Sequence, residues 1–365
     1  MEPDINSPPV ITGIGLLTPL GQSAGETWNA LLAGRSIADH ARVPGFSGAG
    51  RAIAMAQRAA AEAMGNAGWT RDLRESADSG IFVGTSKGAI ETWIEGEAPD
   101  VHPGLRCGLA QIDFELSREL RFGNGPRLTI SSACSSGLHA LLRAAMAIRS
   151  GEIRRALVVG VEASVQPLFV SSFKRLGVLA PEGHGCRPFD QNRRGFIISE
   201  AAAAVCLESG ENTIGRPIVR IDRWAAGGDG THLTGSDPAG KALGRLLQRV
   251  VGPDCDLVHA HATGTIVNDP VELAAIAAAA RSQPWVFSHK GALGHSLGVA
   301  GMVSVVLNCL SHLHGIVPPN IRSTNPLTMN GLRFSSEATQ AAINRSVAVA
   351  AGFGGPLAAI GFVSG

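Results

Sequence analysis

The chain has 365 residues, 45% of them apolar, and its 31 basic and 30 acidic side chains leave a formal net charge of +1. That length exceeds one ordinary domain, so two domains or two fused halves are expected. The even charge balance excludes bulk binding to nucleic acid or to a membrane surface, and the absence of any CxxC pair among the six cysteines argues against structural zinc and a disulfide framework.

Reduced thiols at positions 107, 134, 186, 206, 255 and 309 point to a reducing, cytoplasmic compartment. Met1-Glu-Pro-Asp lacks the pattern of a signal peptide, and the longest apolar segment, residues 297–310, is expected to be too short to cross a bilayer. Lysine is scarce, present only at 87, 174, 241 and 290, so a lysine inside a motif carries weight.

Residues 9–17 read as a buried strand ending at the turn Thr18-Pro-Leu-Gly21. Helices follow at 27–33 and 52–67, a strand at 79–84 and a helix at 109–120. The strand 127–130 leads into Ser131-Ser-Ala-Cys134-Ser-Ser-Gly137, after which Leu138, Leu141, Leu142, Ala145 and Met146 recur at helical spacing. Cys134 therefore sits where a strand turns into a buried helix. Unpaired N–H groups and the helix dipole favour a thiolate at such a place, although a lone cysteine is more often a small core residue. Strands at 156–161 and 201–208 complete a first succession, and apolar strands without alternation predict a largely parallel sheet covered on both faces.

The succession then restarts, with strands at 217–221, 257–260, 285–287, 346–351 and 357–363 and helices at 240–251, 269–280 and 297–310. This suggests a duplication: residues 1–209 form a half carrying the cysteine, and 210–365 a half carrying the remaining motifs. The first of these is His259-Ala-His-Ala-Thr-Gly-Thr265, followed by Asn268-Asp-Pro-Val-Glu272. His261 follows the strand end and is the better catalytic candidate, whereas His259 packs within the strand. Thr263 and Thr265 can hydrogen-bond an extended polar chain. In the second motif, Ser288 to Gly301, Lys290 and His295 flank glycines ahead of an apolar helix. A lysine buried there needs an acid, which Glu272 or Asp269 would supply. The last motif is Gly352-Phe-Gly-Gly355, a turn able to aim N–H groups at a cavity.

The order Ala-Cys134-Ser-Ser-Gly, His261-Ala-Thr-Gly-Thr, Lys290-x4-His295 and Gly352-Phe-Gly-Gly resembles the β-ketoacyl synthases of the thiolase superfamily, in their Cys-His-His branch. Thr12-Gly-Ile-Gly15, Arg187-Pro-Phe-Asp190 and Glu200 add to the resemblance, which runs from about Val10 to the C-terminus. It implies a thiolase-like fold, two βαβαβ halves forming a five-layer αβαβα sandwich. It also implies decarboxylating Claisen condensation on an acyl carrier protein, in fatty acid or polyketide/polyene biosynthesis. Cys134 would carry the acyl group, its N–H and that of Phe353 would form the oxyanion hole, and His261 and His295 would stabilise the enolate. Lys290, held by Glu272 with Asp269 nearby, would orient the second histidine; Thr263 and Thr265 would bind the pantetheine arm, and Gly354 would join them in binding substrate. No metal and no dissociable cofactor are implied beyond the carrier's phosphopantetheine.

By the same resemblance the chain should pair through 156–161, read as an apolar edge strand, as a homodimer or as a heterodimer with a related synthase-like subunit. Ala262, Ala201, Ala351 and Pro356-Leu357 depart from the family pattern, and residues 36–51 and 89–109 are short for it. An acyltransferase on the same fold, or a non-catalytic partner of the chain-length-factor type, are the alternative readings.

Overall fold

The computed structural model describes residues 8–95, 108–122, 124–211, 213–329 and 331–365. The first half runs β1 (Pro9–Leu17), α1 (Ala24–Leu32), α2 (Arg51–Ala67), α3 (Arg71–Glu75), β2 (Ser79–Gly84), α4 (Ile90–Glu95) and α5 (Gln111–Leu120). It continues with β3 (Arg127–Ile130), α6 (Ser136–Arg149), β4 (Arg155–Glu162), α7 (Pro167–Arg175) and β5 (Ala201–Ser209). The second half runs β6 (Val219–Gly228), α8 (Lys241–Val250), β7 (Leu257–His259), α9 (Asn268–Ala279), β8 (Trp285–Phe287), α10 (Lys290–Leu293) and α11 (Ala300–His314). The two-residue strands β9 (Ile316–Val317) and β10 (Thr339–Gln340) pair with each other, and β11 (Arg345–Ala351) and β12 (Pro356–Ser364) close the chain.

The strands follow the order β3-β2-β4-β5-β1-β6-β12-β11-β7-β8. Read outward from the middle, each half places its first, fifth, fourth, second and third strands alike, so one topology occurs twice. Among the described strands, the halves join within the sheet where Val10 and Ile11 of β1 pair with Arg220 and Val219 of β6. At that corner the sheet folds over, and α6 and α11 fill the space inside.

Three apolar clusters give the layers. Leu17, Ile81, Val83, Val159 and Ala204 face α2 and α5; Val158, Val205, Ala350 and Ile360 face α6 and α11; Val258, Val349 and Ala359 face α8 and α9. The body is the expected five-layer αβαβα sandwich. Gly13 and Gly15 serve this packing, since a Cβ on either would strike the carbonyls of Ala63 and Ala59 in α2.

The sheet is mixed, which corrects the expectation of a largely parallel one. Parallel pairing is confined to β3-β2-β4 and β11-β7-β8, and the strands between run antiparallel. Burial on both faces removes the alternation that would otherwise mark an antiparallel strand. A second correction concerns residues 156–161. They lie in β4, hydrogen-bonded to β2 on one side and β5 on the other, so they cannot be an edge. The sheet's open edges are β3, in the first half, and β8, in the second. The apolar stretch Leu297–His314 reaches 18 residues, longer than expected, and is buried between the sheets as a core helix.

Candidate active site

Cys134 lies on a strained elbow. Ala133 holds φ at +47°, Ser135 caps α6, and Cys134 itself is 8% exposed. The left-handed region costs a non-glycine residue roughly 1–2 kcal/mol, so the turn is held by its surroundings. Ser136 Oγ accepts the Ser132 N–H at 2.9 Å and donates to the Ala133 carbonyl at 2.6 Å, which locks the elbow. Gly84, ending β2, approaches so closely that a Cβ there would stand 2.6 Å from Gly137 Cα.

A cavity of about 340 Å³ opens onto Cys134, and the same cavity is lined by His261, His295, Thr263, Thr265, Phe196 and Phe353. The rings of His261 and His295 lie 5.4 Å apart at 83° to each other, and the His295 ring meets Phe196 edge-on at 5.0 Å. His295 is fixed by its backbone, donating to Ile197 O at 2.8 Å and accepting from Ser199 N at 3.1 Å. Burial, and then the positive charge of Lys290, push both imidazoles well below their ordinary range, so each is neutral and holds one N–H to donate.

Cys134 is a thiol at rest. Burial pushes it up to about 11, against the favourable influence of Lys87, Lys290 and a hydrogen bond from the Phe353 N–H. Burial thus opposes the thiolate expected at the helix terminus.

Lys290 is buried and donates to the carbonyl of His261. The expected direct pair with Glu272 is absent among the described residues. Glu272 instead accepts the backbone N–H groups of His261 and Ala262 at 2.6 and 2.7 Å and the Asn268 side chain at 3.1 Å. Its attraction reaches Lys290 through space. Asp269 accepts Gly264 N at 3.1 Å and Phe189 N at 2.8 Å, and burial, reinforced by Glu272, pushes it up to about 7. The two acids thus shape the His261–Thr265 loop, whose Ala262 holds φ at +27° where a glycine would be unstrained.

The remaining candidates divide. Thr263 and Thr265 hydroxyls lie 3.1 Å apart on the cavity wall. Gly354 does not reach the cavity: its N–H donates to Leu233 O at 2.7 Å and the residue is exposed. His259 is buried in β7 as expected, bonded to Asn308 at 3.1 Å and to His289 at 2.9 Å. Sequence reasoning missed Lys87 and Glu162, a pair 3.6 Å apart whose charges act on Cys134. The scarcity of lysine was the signal available for Lys87.

Duplicated halves around two buried central helices, with a cysteine elbow between them, define a thiolase-fold protein. Models of the β-ketoacyl synthase N-terminal and C-terminal domains match residues 46–213 and 218–324. The chain belongs to the β-ketoacyl synthase family. It is 29% identical to a putative polyketide β-ketoacyl synthase 1 of Streptomyces halstedii, over 95% of each chain. To a 3-oxoacyl-[acyl-carrier-protein] synthase 2 of Rhizobium meliloti it is 27% identical, over 96% of this chain and 97% of the relative. The alignment with the Streptomyces relative runs over 403 positions, more than this chain contains, so that relative carries segments this chain lacks. Among solved structures, the ishigamide ketosynthase/chain length factor superposes with a TM-score of 0.88 at 28% identity, over 98% of this chain and 99% of the other.

Proposed function

We propose that the chain catalyses decarboxylating condensation of an acyl thioester with malonyl-acyl carrier protein. One observation carries this: a buried cysteine and two neutral histidines face a single cavity, with a buried lysine behind the first histidine. The Cys134 sulfur attacks the acyl thioester carbonyl, the bond to the carrier's sulfur breaks, and the departing thiolate takes the proton that Cys134 gives up. The N–H groups of Phe353 and Cys134 then receive the oxyanion, each donor being worth about 3–4 kcal/mol. After the carrier is exchanged, the malonyl thioester loses carbon dioxide. The electrons of the broken bond pass to the carbonyl oxygen, held by N–H donors of His261 and His295, and the resulting carbon nucleophile attacks the acyl-cysteine. The Cys134 sulfur leaves and regains a proton.

In this reading residues 1–209 supply the nucleophile and 210–365 the histidines and lysine. Thr263 and Thr265 guide the phosphopantetheine arm, past exposed Ile266 and Val267 at the mouth. The chemistry needs no dissociable cofactor, and the five described cysteines, all buried and unbridged, suit a reducing cytoplasm. We also assign the unpaired edge of β3 as the dimer seam, because its Leu128 and the neighbouring Phe114 and Met146 are exposed apolar side chains. A homodimer is the default by symmetry, and a related synthase-like subunit could take the same edge.

Release of carbon dioxide from malonyl carrier protein, measured with an acylated primer present, tests the reading. Condensation releases it; an acyltransferase forming esters or amides on the same fold does not.

A further inference from the structure

The loop leaving β2 lies against the segment that leads into the nucleophile elbow. Thr85 N donates to Ile130 O at 3.2 Å, and Ser131 Oγ donates to Ser86 O at 3.4 Å, three residues before Cys134. The loop carries Lys87, whose ammonium group has four neighbours. Its Nζ donates to Ser86 Oγ at 2.8 Å, stands 3.6 Å from Glu162, and lies 5.0 and 5.8 Å from the ring centroids of Phe169 and Phe173 on α7. Phe173 in turn packs 6.1 Å from Phe353, which lines the cavity beside Cys134. Glu162 is equally fixed, by Thr85 Oγ1 at 2.8 Å, Ser86 Oγ at 2.7 Å and Ser164 Oγ at 2.9 Å.

We propose that Lys87 is a positioning residue for Cys134: Glu162, Ser86 and the two phenyl rings hold its ammonium group where it supplies the positive charge that the thiolate needs during attack. This rests on the nucleophile assignment above and adds to it. The groups acting on the sulfur are Lys87 from the β2 loop, Glu162 from the end of β4, Lys290 from α10, and the neutral His261 and His295. Of the charged groups Lys87 counts most, ahead of Glu162 and Lys290. The lysine's pull on the sulfur exceeds the glutamate's push, so that no histidine base is required to ionise the thiol. The proton lost goes to solvent or to the departing carrier thiolate.

The test is the pH dependence of Cys134 alkylation by iodoacetamide, mapped by peptide mass spectrometry in the full-length protein. This readout needs no acyl substrate, so it fails or succeeds independently of the condensation activity. Lys87→Met keeps the apolar stem against the phenyl rings and should move the midpoint up by roughly one pH unit, a tenfold loss of rate below it. Lys87→Arg should restore most of the rate. Glu162→Gln keeps hydrogen-bonding capacity, removes the opposing charge and should move the midpoint down. An unchanged midpoint in folded Lys87→Met, an arginine variant no better than methionine, or an upward shift in Glu162→Gln would each overturn the proposal.

Discussion

Lys290 and Glu272 grip the same residue from its two ends. The lysine Nζ donates to the carbonyl of His261, and Glu272 accepts the N–H of His261 at 2.6 Å. The two charges are therefore coupled through one peptide segment and through space, not by contact. Lys290→Met removes the cation that attracts Glu272 and Asp269 and leaves their charge to backbone N–H groups and Asn268, which should cost up to about 3–5 kcal/mol, the range for breaking a buried pair. Glu272 is already raised above its ordinary value by burial and would rise further. A raised carboxyl pKa gives stability that is present below the unfolded value and lost as pH rises through the folded value. The drop in melting temperature should accordingly be larger at pH 8 than at pH 6; an equal or smaller drop at pH 8 contradicts this coupling.

His261→Ala and His295→Ala should each cut malonyl decarboxylation by on the order of 10²–10³-fold, the effect of losing one preorganised donor. Cys134 should still accept an acyl group, because backbone amides and nearby cations, and no histidine base, favour its thiolate. Intact-mass measurement of acylated protein checks this. A variant that cannot be acylated at all would make that histidine the base for the thiol.

Four buried histidines set the acid limit of stability. Burial pushes His259 down to about 3, and His261, His289 and His295 lie well below the ordinary value. The unfolded chain takes up these protons near pH 6.5, and the folded chain does not. Stability should thus be intact above about pH 6.5 and fall as pH drops from there toward 3, by roughly 1.4 kcal/mol per pH unit for each such histidine. Chemical denaturation from pH 7.5 to 5 reads this directly, and a flat profile would exclude it.

The β3 edge predicts an assembly. With Leu128 36% exposed and Phe114 and Met146 more than half exposed, an isolated chain would leave apolar surface beside unpaired strand N–H and C=O groups. Pairing there should bury about 2,000 Å² or more. Leu128→Lys should shift the protein toward monomer in light scattering, whereas Val158→Ala in β4 should leave the assembly intact and only loosen the core. A wild-type monomer would remove the seam.

Much of this was legible in the sequence. The order of motifs fixed on Cys134, His261, Lys290 and His295 brought together four residues that the fold places around or directly behind one cavity. The boundary between successions near residue 209 fell between β5 and β6. What escaped depends on direction and on contact. Strand direction leaves no trace once both faces are buried, so the sequence alone shows neither that β4 is an inner strand nor that the sheet is mixed. The sequence offers Lys290 and Glu272 as a direct pair, but no spacing rule shows that a main-chain carbonyl receives the lysine. Gly354 was judged by its motif, although the neighbouring Leu233 carbonyl claims its N–H. Lys87 stood outside every motif and gained meaning only when the β2 loop was seen against the elbow.

The most direct test is peptide mass spectrometry after incubation with a panel of acyl carrier proteins bearing different acyl groups. The account predicts one adduct, on Cys134, lost in Cys134→Ala, while Cys134→Gln mimics the acylated thiol and still decarboxylates malonyl carrier protein. An adduct on Cys186, Cys206, Cys255 or Cys309 in the wild type, or turnover with Cys134 replaced by alanine, would contradict it.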